Sequence, residues 1–208
     1  MQCRRVRVIN LPLGSARVSR SAHAPGEIVR RRTPRYELHS LPDDGNKYEL
    51  IHSELFVTPA PTPEHEEIAA RLARILDRYV AANGLGYVYR PKATIELQGS
   101  EVEPDLMVRQ PHPRPKEGWA TAPLPILVVE IGSPSTRRRD REQKRDFYID
   151  DVRVPDNWIV DPERREIVVI KPGGANHVAR ERVTWLPAGV ASPLIVDLQP
   201  VFSESDAA

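Results

Sequence analysis

Pro125-Ile126-Leu127-Val128-Val129-Glu130-Ile131 is apolar at every position but one, and that one is an acid. So continuous an apolar run predicts a strand at the centre of a sheet, covered on both faces. Its acid then needs a physical reason, because burying an ionised carboxylate costs several kcal/mol unless it is paired or binds a metal. A second acid, Asp105, follows Pro104 at the mouth of another predicted strand, Asp105–Val108. If the two strands are neighbours, their carboxylates converge, and they repel unless a cation or a proton sits between them. Oxygen ligands alone favour a hard ion, so Mg²⁺ or Mn²⁺ is expected, with water completing the shell.

Working outward, Ser133–Thr136 caps a charged helix running to about Asp150, and Asn157–Val160 is the next buried strand. Asp161–Arg164 turns it back into Glu166–Lys171, with weaker strands near Val178–Trp185 and Leu194–Leu198. Upstream lies the clearest helix, in which Ile68, Leu72, Ile75, Leu76, Tyr79 and Val80 recur at helical spacing before Asn83-Gly84 stops it. Strands are expected at Gly86–Arg90 and Ala93–Leu97, and Pro111–Pro123 is a proline-rich loop carrying Trp119, open to stacking on a base or another subunit. Trp158 is expected in the core. Ahead of the long helix, Thr33-Pro34 opens a short helix to about Leu41, and Tyr48–Ile51 and Glu54–Val57 form a hairpin turning at His52-Ser53. Helix, strands, helix, strand in this order predict an α/β domain: a mixed β-sheet core flanked by helices, with an added N-terminal β-hairpin.

A chain of 208 residues suits one domain with an appendage. No apolar run approaches the roughly 18 residues of a membrane span, so no membrane partner is expected. The single cysteine, Cys3, excludes an intrachain disulfide and fits a cytoplasmic location. The net charge of +1 hides an asymmetry: residues 1–40 hold nine arginines against Glu27 and Glu37, so the remainder is net acidic. Residues 1–32 are therefore read as a basic, poorly ordered extension, and 33–208 as the folded domain. An arm gripping phosphates, a targeting segment, or upstream sequence translated from a misassigned start are the other readings of the extension.

On the charged helix, Asp140, Lys144 and Tyr148 are spaced to share one face, as in a surface ion-pair ladder or a functional cluster. Arg137, Arg138, Arg141 and Arg145 stand on the same segment. They suit either a solvated helix face or sequence-blind attraction to nucleic acid.

Several stretches, taken in order, resemble the Uma family of restriction-endonuclease-like proteins. They are Leu41-Pro42-Asp43-Asp44-Gly45, Tyr48–Ile51 with Glu54-Leu55, and Pro61-Thr62-Pro63-Glu64-His65. Then follow Glu103-Pro104-Asp105-Leu106, Val128–Thr136, Asp140 through Lys144 to Tyr148, and Val154–Pro162. That family belongs to the PD-(D/E)XK nuclease superfamily, and the resemblance spans roughly residues 33–172. It implies a metal held by Asp105, Glu130 and the Ile131 backbone carbonyl. The lysine usual two residues after the acid is missing, since position 132 is glycine. The resemblance then points to a lysine that has migrated onto the following helix, Lys144, to orient water and stabilise phosphoryl charge. Glu49 is either an auxiliary acid orienting a water or ligand, or an ordinary acid at a strand edge. His65 either reaches the site or caps and packs its own helix. His52-Ser53 replaces the usual Asp-Gly of the hairpin turn.

The reading is a Mg²⁺- or Mn²⁺-dependent endonuclease acting on DNA, with a homodimer permitted but not required. Against it stands a binding or assembly protein that keeps the nuclease fold without turnover, which the glycine at position 132 keeps open. A phosphodiesterase acting on RNA or a small nucleotide is the third reading.

Overall fold

The computed structural model describes residues 28–32, 35–132 and 139–203. The chain divides into two compact units, one taking Met1–Ala60 with Glu96–Val102 and the other Pro61–Ile95 with Glu103–Ala208.

The first unit is built on a hairpin. Strands β2 (Lys47–Ile51) and β3 (Glu54–Thr58) pair antiparallel from Lys47 with Thr58 to Ile51 with Glu54. The turn residues His52 and Ser53 both have positive φ, 50° and 66°. This left-handed pair is what a two-residue turn between right-twisted strands requires, and it is why Asn-Gly or Asp-Gly is the commoner choice there. The His52 amide donates to Ser100 Oγ at 3.0 Å, tying the strained turn to its unit. Short strands β5 (Ile95–Leu97) and β6 (Ser100–Val102) extend the sheet, which begins with β1 (Ile28–Arg32) and has the order β1-β3-β2-β6-β5. A small core of Leu38, Leu50, Leu55 and Val57 lies beneath it, Leu38 coming from the one-turn helix α1 (Arg35–Leu38).

Strand β1 (Ile28–Arg32) precedes Thr33, where the sequence placed the start of order. It pairs antiparallel with β3, Ile28 opposite Phe56 and Val29 opposite Leu55. The reason is the edge of β3: an unpaired strand edge presents a row of open N–H and C=O groups, and adding a strand satisfies them. The arginines of 30–32 concealed this, because a basic run reads as solvated tail.

In the second unit, helix α2 (Pro63–Ala82) starts at Thr62, whose Oγ1 accepts the His65 amide at 3.3 Å, with Pro63 in the first turn. Its buried stripe is Ile68, Leu72, Ala73, Leu76 and Val80. The six-stranded sheet has the order β11-β10-β9-β8-β7-β4. Its strands are β4 (Tyr87–Tyr89), β7 (Leu106–Arg109), β8 (Leu127–Ile131), β9 (Asp156–Asp161), β10 (Glu166–Ile170) and β11 (His177–Ala179). Neighbours are antiparallel except β8 and β9, which run parallel and are joined through helix α3 (Arg139–Asp146). A second hairpin, β12 (Arg182–Trp185) with β13 (Leu194–Asp197), contributes Val183, Trp185 and Val196 to the same core, and a single helical turn, α4 (Gln199–Phe202), follows.

The two-residue period of the strands decides what faces the helix. Leu127, Val129 and Ile131 join the α2 core with Leu106, Val108, Trp158 and Val160. Trp158 is core, as its sequence context implied. The residues between them, Val128 and Glu130 among others, point to the opposite face. Gly86 lets the chain enter β4 beside β7: with φ of 105°, any Cβ there would lie 2.2 Å from the Arg109 carbonyl oxygen.

Two stability measurements follow. A protein beginning at Glu27 should melt several degrees above one beginning at Thr33, because the second lacks the β1–β3 pairing; roughly 1 kcal/mol moves Tm by about 2–4 °C at this size. Ser53→Gly should stabilise the protein by about 0.5–1 kcal/mol in urea unfolding, since glycine adopts the left-handed turn without strain. A destabilised Ser53→Gly would show that the hydroxyl matters more than the backbone.

Candidate active site

The site is assembled at one end of β7 and β8. The last ladder pair there is Leu106 with Val129, so one further step sets Asp105 opposite Glu130. Side chains directly opposite in an antiparallel pair share a face, so this register puts both acids at the same end of the sheet. Asp105 is buried and Glu130 nearly so, its side chain 17% exposed.

Each carboxylate has named partners. Asp105 Oδ2 accepts the Ile131 backbone amide at 2.8 Å and lies 3.1 Å from His65 Nε2. Glu130 receives Lys144 Nζ at 3.3 Å on Oε1 and 3.2 Å on Oε2, and the Tyr148 hydroxyl donates to Oε1 at 2.5 Å. Lys144 is itself buried. A mostly buried carboxylate is thus answered by an ammonium and a phenol, the compensation that the burial cost demands.

The helix geometry explains how Lys144 and Tyr148 meet one acid. They are four residues apart, and α3 passes at Phe147–Asp151 into a wider π-turn in which Val152 N–H donates to the Phe147 carbonyl at 2.9 Å. The turn buries Phe147 and Tyr148 together. Asp140, the third member of the predicted face, has a side chain outside the described residues.

Of the residues singled out from sequence, the structure brings His65 to Asp105 and Lys144 to Glu130, at the end of the neighbouring strands β7 and β8. His65 is not itself the cap: its amide donates to Thr62 Oγ1, and its ring reaches Asp105 Oδ2 at 3.1 Å. Ile131 contributes through its N–H, bound to Asp105. Glu49 belongs to the other unit, fully buried on β2, which is an inner strand between β3 and β6. It is therefore not the strand-edge acid that one reading made it. Arg137 and Arg138 lie outside the described residues, as does the side chain of Arg141. Arg145 is exposed, and its guanidinium contacts Asp146 Oδ1 at 3.0 and 2.7 Å, a surface pair that water and salt loosen easily. Tyr148 was missed as a direct partner of Glu130, although its spacing from Lys144 was the available signal.

Trp119 packs within its own unit: it meets Tyr89 edge-on at 5.4 Å between centroids and lies 5.5 Å from the Arg109 guanidinium. Arg109 is fully buried, and burial pushes it down to about 10, with Tyr89 opposing the shift. It stays a cation at neutral pH.

Among the described residues, no three His, Cys, Asp or Glu side chains are grouped to hold a metal. The oxygen donors available at the strand ends are the two carboxylates of Asp105 and Glu130. That set fits Mg²⁺, which commonly binds through one or two carboxylates and keeps several waters.

The family model described as "Uma2: Putative restriction endonuclease" matches residues 35–202. The chain belongs to the Uma2 family. Among solved structures, it is similar to "a putative nuclease belonging to DUF820 from Anabaena variabilis ATCC 29413", with a TM-score of 0.64 and 19% identity over 81% of this chain and 97% of that one. At that identity the likeness establishes the fold, which is restriction-endonuclease-like. No protein of curated function matches the chain. Among the described residues, no helix is long and apolar enough to cross a membrane.

The ion pair can be weighed directly. Lys144→Met should destabilise the fold by about 1–3 kcal/mol, since it leaves the Glu130 carboxylate without its cation. Glu130→Gln in the Lys144→Met background should recover part of that loss. A coupling below about 0.5 kcal/mol in this double-mutant cycle would mean that the two groups act independently.

Proposed function

We propose that this Uma2 protein is a divalent-metal-dependent endonuclease that hydrolyses phosphodiester bonds in DNA. The observation that carries the reading is the register of β7 and β8, which sets Asp105 opposite Glu130 with Lys144 3.2 Å from the second acid. Membership of a nuclease family supports it.

Asp105 and Glu130 would hold the ion, with the Ile131 carbonyl as a third oxygen donor. A bound Mg²⁺ or Mn²⁺ supplies a Lewis acid toward a phosphoryl oxygen and makes a water molecule easier to deprotonate. The residues of the chain then do the rest. Lys144, held on Glu130, places an ammonium beside the carboxylate pair, where it orients the attacking water and stabilises negative charge developing on the phosphoryl oxygens. The Tyr148 hydroxyl fixes Glu130 from the same helix face, so the carboxylate keeps one orientation whether or not Lys144 shifts toward substrate. The arginines around 137–145 supply salt-dependent attraction for the phosphate backbone. Glu49 is given no part in this scheme.

Lys144→Met should remove most cleavage of plasmid DNA in Mg²⁺ or Mn²⁺, by roughly 10²–10³-fold as for loss of one charge-stabilising donor, while keeping most of the affinity for the ion. Asp105→Ala and Glu130→Ala should abolish ion binding in calorimetry. Arg145→Met should weaken DNA binding with a reduced salt dependence and leave the cleavage step intact. Cleavage by Lys144→Met at the rate of the unaltered protein would remove the lysine from the mechanism. A folded protein that binds DNA but never cuts it would favour a binding protein that has kept the nuclease fold.

A further inference from the structure

We infer that His65 is a positioning residue of the metal centre, one that sets which oxygen of Asp105 faces the ion; the inference rests on the metal-dependent reading above. Two donors from different parts of the second unit converge on the same atom. The Ile131 amide reaches Asp105 Oδ2 at 2.8 Å along β8, and His65 Nε2 reaches it at 3.1 Å from the first turn of α2. With both on Oδ2, rotation of the carboxylate is restrained. A carboxylate tied this way binds one ion in one orientation instead of rotating between binding modes, and such supporting hydrogen bonds raise metal affinity.

The position of His65 is itself over-determined. Its amide is bound by Thr62 Oγ1, so the residue occupies a fixed place in the first helical turn. Three residues on, Ile68 is buried in the core, and Leu72 and Leu76 continue the stripe, so the start of α2 cannot drift without unpacking the unit. On its other side the ring has Glu66, with Oε1 3.6 Å from Nδ1. A histidine on a packed helix is a better fixed strut than one on a loop. This placement also gives Pro61-Thr62-Pro63-Glu64-His65 a physical purpose: the cap, the proline and the histidine together aim one ring at one carboxylate oxygen. The Ile131 amide is main chain and cannot be removed by substitution, so His65 is the half of the clamp that can be tested.

The experiment measures Mn²⁺ binding by the electron paramagnetic resonance of free Mn²⁺, on the full chain, for the unaltered protein, His65→Ala and His65→Gln. His65→Ala should bind Mn²⁺ about 10–100-fold more weakly, and His65→Gln, whose amide can still donate, should recover most of the affinity. In plasmid cleavage, His65→Ala should need correspondingly more Mn²⁺ for half-maximal rate and reach an unchanged kcat at saturating Mn²⁺. Equal Mn²⁺ affinity in all three proteins would overturn the assignment while leaving the metal centre standing. A collapsed kcat at saturating Mn²⁺ with affinity intact would also overturn it, since His65 would then take part in the chemistry itself. If the unaltered protein binds no Mn²⁺, this inference and the metal-dependent reading fall together. Recovery by glutamine keeps the test valid even if the alanine variant folds poorly.

Discussion

The structure of the second unit turns on one cost: a carboxylate at the end of a buried strand must be given a partner. Glu130 closes the most apolar strand of the sheet and receives Lys144 and Tyr148 from a single helix face. Asp105, at the mouth of the neighbouring strand, is held by a backbone amide and by His65. Each acid is thus given its own donors, an ammonium and a phenol for Glu130, an amide and an imidazole for Asp105. An arrangement of this kind stabilises little by itself. Apolar residues would fill the space at lower cost, which is why such clusters point to chemistry and not to folding.

The fold serves that cluster by division of labour between the two faces of the sheet. One face, with Leu127, Val129 and Ile131, is packed against α2 and supplies the rigidity. The other carries Glu130 and meets the segment after β8. That segment is a crossover between parallel strands, and it continues from α3 into a π-turn before β9 begins. A lysine on the crossover can therefore reach the strand's acid, as Lys144 does Glu130, because the helix returns over the very residues it has just left.

Much of this was legible in the residues. The apolar run ending in Glu130, the long helix with its stripe, the hairpin around His52-Ser53 and the shared face of Lys144 and Tyr148 all follow from period and polarity. What stayed hidden has identifiable causes. Strand β1 was obscured by Arg30, Arg31 and Arg32, whose charge suggests solvent although the backbone has an edge to pair with. Strand β6 is only three residues long, too short to show a period. Glu49 resembled an edge acid because a five-residue strand does not reveal whether it has one neighbour or two. Trp119 stood in a proline-rich loop with no hint that Tyr89 and Arg109 were its partners.

The sequence by itself determined which segments become helix or strand, where the acids fall on them, and which helical residues share a face. These are local properties, set by spacing along the chain. Only the tertiary structure decided that Asp105 stands opposite Glu130, that His65 and the Ile131 amide meet on one oxygen, and that Glu49 belongs to an inner strand of another unit. Those facts depend on the register between strands distant in sequence. Register is chosen by the packing of whole faces, since a slip of one residue would turn every core side chain to the wrong side.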